Sequence, residues 1–174
     1  MQSRARAAGH AVHPMLIVFP LGLLSTAAIF DVFYLITDRR SFAIAAAYAI
    51  GAGVIGGVVA ALAGWIDWTK IPAGTRAKRV GTLHGIGNMI VLALFAISWL
   101  LRADDVFWRP DALELVCSFA GVLLAGVTGW LGGELVERLG ISVDEDANPD
   151  APSSLSNRPA TARPASGPRT RPAR

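Results

Sequence analysis

The 174-residue sequence has one cysteine, three histidines and few charges, with only 17% of its residues being Asp, Glu, Lys or Arg. A single thiol excludes an intramolecular disulfide framework and any cysteine-built zinc or iron–sulfur cluster within one chain, so Cys117 reads as a small buried apolar residue. No nucleophile stands beside a base in a recognisable catalytic motif, and there is neither a phosphate-binding glycine loop nor a dinucleotide fingerprint. The alternation of polar and apolar faces that a soluble helical bundle requires is missing as well.

Instead the charges sit in blocks, separated by four apolar runs at residues 14–36, 42–66, 83–101 and 112–132. About 20 residues at ~1.5 Å each cross the roughly 30 Å hydrocarbon core of a bilayer, so each run is long enough to span it as a helix. Asp31, His84 and Glu114 are the ionisable side chains within them, as expected where a buried charge is costly. The pattern predicts an all-α integral membrane protein, a four-helix up-and-down bundle over residues 14–141. A short segment, 1–13, precedes it, and a disordered tail rich in Pro, Ala and Arg, 142–174, follows. Arg4 and Arg6 ahead of an apolar stretch, with Ala27 and Ala28 beyond, imitate a signal peptide; the stretch continues past Asp31 to Ile36, so it reads as a retained first helix.

Orientation follows from the basic residues. Arg4, Arg6, Lys70, Arg76, Lys78, Arg79, Arg138 and the tail arginines fall on one side, against Arg39, Arg40, Arg102 and Arg109 on the other. Both termini are therefore expected in the cytoplasm, with the chain in the inner (plasma) membrane. Trp65, Trp68 and Trp130 near one end and Trp99 and Trp108 near the other form aromatic belts. The basic balance comes from links and tail, so it reads as topology and contact with the lipid bilayer, with no nucleic acid partner.

Small residues recur every fourth position in the fourth run (Cys117, Gly121, Ala125, Gly129, Gly133) and in the second (Gly53, Gly57, Ala61). Such faces let helices approach closely, within the bundle or in a homo-oligomer. Pro20 removes a backbone hydrogen bond to Leu16 and is expected to kink the first helix.

Two polar clusters emerge at opposite ends of the bundle. Alternating helix directions bring His13, Asp67, His84, Asn88 and Glu134 to one end. Two imidazoles and a carboxylate suit a divalent transition metal at His13, Asp67 and His84, and two imidazoles alone suit a haem b held by His13 and His84. The plainer readings are that His13 begins a helix before Pro14, that His84 is a satisfied interfacial side chain, or that either handles protons. His10 is expected to be solvated. At the other end, Asp31 lies inside the first helix with Tyr48, Ser98, Cys117 and Ser118 at similar depth, and a hydrogen bond from Tyr48 or a serine would satisfy it. Eighteen residues separate His13 from Asp31, too far along a helix for one compact site.

The stretches HPMLIVFP from His13, IFDVF around Asp31, GWIDW from Gly64, HGIGN from His84 and GWLGGELVERLGISV from Gly129 together resemble a bacterial membrane family catalogued as domain-of-unknown-function family 2231. The resemblance covers about residues 10–143 and leaves the tail unmatched. It implies a four-helix membrane domain, sometimes joined to Rieske-type iron–sulfur or other redox modules, and carries no activity with it. Glu137 departs from the pattern, which has a tyrosine after the residues matching Leu135 and Val136.

The expectation is thus a metal- or haem-binding module associated with electron transfer, working with a redox-protein partner or as a homo-oligomer. A noncatalytic membrane scaffold or assembly subunit is the alternative, and a small-solute or proton transporter a third reading.

Overall fold

A computed structural model describes residues 1–156 and 158–162 of the chain. Four helical spans, Val12–Thr37, Arg40–Lys70, Arg76–Arg102 and Ala112–Arg138, are each long and apolar enough to cross a membrane. They run up and down. Each packs on its neighbours in sequence, and the first also packs on the fourth, which closes the bundle and leaves the first and third diagonally opposed.

The first span is interrupted, as Pro20 predicts. It comprises α1 (Val12–Leu16) and α2 (Val18–Thr37), with the break at Ile17. Pro20 has no N–H to donate to Leu16, while Ile17 N–H still reaches the His13 carbonyl at 3.1 Å and Leu21 N–H the Ile17 carbonyl at 3.1 Å. The remaining spans are α3 (Arg40–Lys70), α4 (Arg76–Arg102) and α5 (Ala112–Gly133), the last extended by a π-helical turn at Glu134–Arg138.

Helix α4 begins well before residue 83, where the apolar run starts. The Thr75 side chain caps it by accepting from Lys78 N–H at 3.1 Å, so two polar turns precede the hydrocarbon-length part. It also ends on Arg102, which the run omits.

Large apolar side chains point outward: Phe19, Leu21, Ile36, Ile55, Leu62, Leu83 and Leu123 are all exposed. The interior is small and partly polar, with Ala27, Ala46 and Ala49 around Leu24, Ile50 and Phe95, and with Asp31, Ser98, Ser118 and Thr128 buried. This inversion fits a lipid solvent: lipid tails are as apolar as leucine, so helix association rests on close packing and interhelical hydrogen bonds.

The N-terminal segment and the chain just beyond the fourth span lie at the His13 end of the bundle. A short hairpin, β1 (Arg6–Ala7) and β2 (His10–Ala11), turns through Ala8 and Gly9, both at positive φ. The Met1 amine donates to the Gly140 carbonyl and Ser142 N–H to the Met1 carbonyl, each at 2.9 Å. Beyond Leu139 the described chain runs in turns, with one 3-10 turn at Ser154–Ser156. His10 is exposed, with Ser154 Oγ 3.3 Å from its Nε2. The part of the expected disordered tail at 163–174 lies outside the described residues.

Candidate functional site

His13 on α1 and His84 on α4 come from the diagonally opposed spans and meet at one end of the bundle. Their ring centroids are 6.3 Å apart and their planes stand at 89°. Each ring is fixed by its own neighbouring helix: His13 Nδ1 lies 2.8 Å from the Ala60 carbonyl oxygen, and His84 Nδ1 lies 2.8 Å from that of Thr128. A carbonyl only accepts, so each Nδ1 carries the proton, and in the neutral ring Nε2 keeps its lone pair.

Glycines make these positions possible. A Cβ on Gly64 would stand 2.9 Å from the His13 ring, and one on Gly132 would stand 3.1 Å from the His84 ring. The first distance is shorter than real side chains tolerate, and the second requires the ring to yield.

Asn88, one turn after His84, donates from Nδ2 to the His84 carbonyl at 2.8 Å, and its Oδ1 accepts from Thr128 Oγ1 at 3.1 Å. The amide also lies 3.3 Å from His84 Nε2. Thr128 therefore links two parts of the site, through its carbonyl to the imidazole and through its hydroxyl to Asn88.

Asp67 and Glu134 are at this end but are engaged elsewhere. Asp67 Oδ1 accepts from Ser3 Oγ at 2.6 Å, Arg4 N–H at 2.8 Å and Ala5 N–H at 3.0 Å, tying down the N-terminal segment. Its Oδ2 is buried without a partner among the described residues. Glu134 pairs with Arg76 at 2.6 Å. Among the described residues no three His, Cys, Asp or Glu side chains cluster closely enough to hold a metal ion, so Asp67 does not complete a triad with the histidines.

The opposite end departs from the sequence expectation for Asp31. Its partner is Arg102, in a bidentate pair with Nη1–Oδ1 and Nη2–Oδ2 both at 2.7 Å and both side chains wholly buried. Tyr48, 73% exposed, faces outward. The serines serve the arginine: Ser98 Oγ accepts from Arg102 Nε at 3.2 Å and Ser118 Oγ from Nη2 at 3.1 Å. Arg102 reads in sequence as a charge in the third link; a hydrocarbon surround makes an unpaired Asp31 so costly that the last turn of α4 carries the countercharge inward. Glu114 is buried nearby, its backbone carbonyl accepting from Ser98 Oγ at 2.9 Å and its Oε2 unpartnered among the described residues.

Of the two clusters, the histidine end has the chemistry for a ligand. Two imidazoles with Nδ1–H donated to backbone carbonyls have the outer hydrogen bonds typical of metal-ligating histidines, which fix the ring and raise the basicity of the other nitrogen. A closed zinc site needs four ligands, whereas a haem needs only axial ones from the protein. The two rings stand edge to face with centroids 6.3 Å apart, close enough to share one metal ion only if both Nε2 atoms turn toward it. A cleft of about 380 Å³ lies beside Gly74, Lys78, Arg79, Thr82 and Leu83 and is lined by neither histidine, so a macrocycle at the histidines would need lateral room from the spans around it.

No curated protein and no solved structure matches the chain. The model of the family described as predicted membrane protein (DUF2231) matches residues 9–145, most of the chain and all four spans. The chain belongs to this family of predicted membrane proteins.

Proposed function

We propose that the protein is a membrane-embedded redox module in which His13 and His84 would hold a haem iron. The observation that carries this reading is the pair of imidazoles brought together at one end of the bundle, centroids 6.3 Å apart and planes perpendicular, each locked by Nδ1–H to a carbonyl. Haem would supply one-electron chemistry when bound; the chain's part is to orient the rings by engaging each Nδ1–H, which leaves Nε2 as the lone-pair nitrogen of each neutral ring. Asp67 serves beside this site as the anchor of the N-terminal segment rather than as a ligand.

In this reading the chain lies in the inner (plasma) membrane with both termini cytoplasmic. Burial of Arg102 removes one charge from the opposite side and leaves Arg39, Arg40 and Arg109 there, which strengthens the basic bias of the terminal side. An electron-transfer partner carrying an iron–sulfur cluster would bring its own cysteines, since these 174 residues hold one.

A reduced-minus-oxidised absorption spectrum tests this on protein purified in mild detergent from cells supplied with iron and haem precursors. Sharp haem bands that vanish in His13→Ala and in His84→Ala are expected. A featureless spectrum sinks the proposal.

One observation favours a second reading, that of a scaffold or assembly subunit. Gly126, Gly129 and Gly133 on the fourth span have no atom within 4 Å of where a Cβ would stand, leaving an outward face of low relief. Close helix approach uses such faces in lipid. Chemical cross-linking in native membranes separates the readings: Gly129→Leu abolishes association in the scaffold case and leaves the haem spectrum intact in the redox case.

A further inference from the structure

Two pairs of residues meet across the centre of the bundle, and the partners in both are 71 positions apart: 13 with 84, and 31 with 102. The same offset relates other interior positions of the first and third spans. Ala27 and Ser98 are both wholly buried, Leu24 and Phe95 are both core residues, and Pro20 and Val91 are both buried.

The second and fourth spans show a second constant offset, 68 positions. Ala60 and Thr128 supply the carbonyls for the two histidines, and Gly64 and Gly132 make room for their rings. Gly53 and Gly121 receive Leu24 and Phe95, where an added Cβ would come within 2.6 and 2.8 Å of those side chains. Ile50 and Ser118, and Ala49 and Cys117, are buried counterparts. The three-residue difference between the offsets arises between residues 31 and 50 in one hairpin and between 102 and 118 in the other, over the helix ends and the link they flank.

Where a twofold axis passes through a structure, equivalent residues meet each other. His13 meets His84, and Asp31 meets Arg102, at the two ends of one line through the bundle. Spans one and three run in the same direction, as parallel repeats about an axis along the membrane normal require.

We infer that the membrane domain is two copies of one helical hairpin about a pseudo-twofold axis, and that Gly64 and Gly132 are its paired positioning residues, each seating one of the two imidazoles. Each seat is a carbonyl and, one helical turn later, a glycine: Ala60 with Gly64, and Thr128 with Gly132. The seats are built by the second and fourth spans, and the histidines by the first and third, so each hairpin holds its own ring. The seats are alike but the free nitrogens differ in their neighbours: the Asn88 amide lies 3.3 Å from His84 Nε2, while the counterpart of Asn88 in the first hairpin is Ile17. The symmetry stands on the paired positions and their contacts; its use for haem rests on the redox reading.

Two measurements on the full chain in detergent micelles test the inference: 15N spectra of histidine-labelled protein, which report which ring nitrogen carries the proton, and titration with haemin. Gly64→Ala is expected to perturb the Nδ1–H signal of His13 alone, Gly132→Ala that of His84 alone, and Gly126→Ala, where the space is open, neither. Haemin affinity is expected to fall roughly tenfold or more in each of the first two variants, the range found when supporting contacts of a metal ligand are lost. If either ring keeps its Nδ1–H signal in its own glycine variant, or Gly126→Ala perturbs both, the seats are not as described and the inference fails. Wild-type protein that takes up no haemin but shows the paired NMR effects overturns the redox reading and supports the seats. A folding defect is addressed by His13→Ala/Gly64→Ala: without the ring the added methyl has room, so this variant should melt with His13→Ala alone. If it melts well below that, Gly64 is needed for another reason and the inference fails.

Discussion

Asp31 and Arg102 form a bidentate ion pair, 71 residues apart in sequence, with both side chains fully buried at the end of the bundle away from the histidines. The geometry satisfies both carboxylate oxygens, and Ser98 and Ser118 take two further guanidinium N–H bonds. Burying two charges in hydrocarbon carries a large desolvation cost, and pairing with satisfied hydrogen bonds makes it tolerable. Removing one partner leaves an uncompensated buried charge. Asp31→Ala and Arg102→Ala are each expected to destabilise by about 3–5 kcal/mol, read by thermal unfolding in detergent. The double change Asp31→Leu/Arg102→Met should cost less than either single change, since no orphan charge remains. Equal or greater loss in the double variant would show that the pair itself stabilises the bundle.

Arginine's planar fork is also specific here. Lysine at 102 offers a point charge and cannot bond both oxygens of Asp31 and both serines in the same geometry. Arg102→Lys is therefore expected to keep the fold with a clearly lower melting temperature, between wild type and Arg102→Ala. A wild-type melting temperature would show that charge alone matters at this position.

Much of this was legible in the sequence, and the gaps have physical causes. Apolar run length located the spans because a bilayer demands it, and Pro20 marked the break in the first helix. The start of α4 was missed because its polar first turns carry no hydropathy signal, only the Thr75 cap. Arg102 reads as an interfacial charge from its neighbours Leu101 and Ala103. The signal that it faces inward is a spacing: His84 to Arg102 repeats the 18 residues from His13 to Asp31. His13 and His84 were placed together by helix direction alone, whereas the capture of Asp67 was not legible. Two of its three donors are backbone N–H groups of the N-terminal segment, which leave no mark in side-chain chemistry.

That capture has a direct consequence for the N-terminus. Asp67→Ala removes the acceptor shared by Ser3, Arg4 and Ala5, and hydrogen bonds to a charged group contribute about 1.5–3 kcal/mol each where they are made. The segment before α1 should loosen while the bundle persists. Limited trypsin digestion is expected to cleave after Arg4 and Arg6 several times faster in Asp67→Ala than in wild type, with the remaining fragment resistant. Unchanged cleavage would mean that the contacts of Met1 with Gly140 and Ser142 hold the segment without Asp67.

In the link between α4 and α5, Asp105 has its carboxyl held down to about 2, first by the Arg109 guanidinium and then by the Phe107 N–H. Because the folded value lies below the ordinary 3.8, the carboxylate's contribution to the order of the link is complete above pH 3.8. It is lost as pH falls through about 2. NMR titration of the Asp105 carboxyl carbon should show a midpoint near 2 in wild type and a midpoint moved back towards the ordinary range in Arg109→Gln. The same midpoint in both proteins would remove Arg109 as the main cause.

Glycines in this bundle divide by what surrounds them, and the division predicts opposite signs for one chemical change. At Gly53 and Gly121 an added Cβ would meet Leu24 and Phe95 at 2.6 and 2.8 Å, in the packed interior. Overpacking of this kind costs typically about 1–3 kcal/mol. At Gly22 and Gly126 nothing lies within 4 Å, and alanine is favoured over glycine inside a helix by roughly 0.8–1 kcal/mol. Gly53→Ala and Gly121→Ala should therefore lower the melting temperature in detergent, by similar amounts because they are counterparts in the two hairpins, while Gly22→Ala and Gly126→Ala leave it unchanged or raise it. A loss at Gly126 confined to native membranes, with none in detergent, would assign that face to contact with another helix and favour the scaffold reading over the redox one.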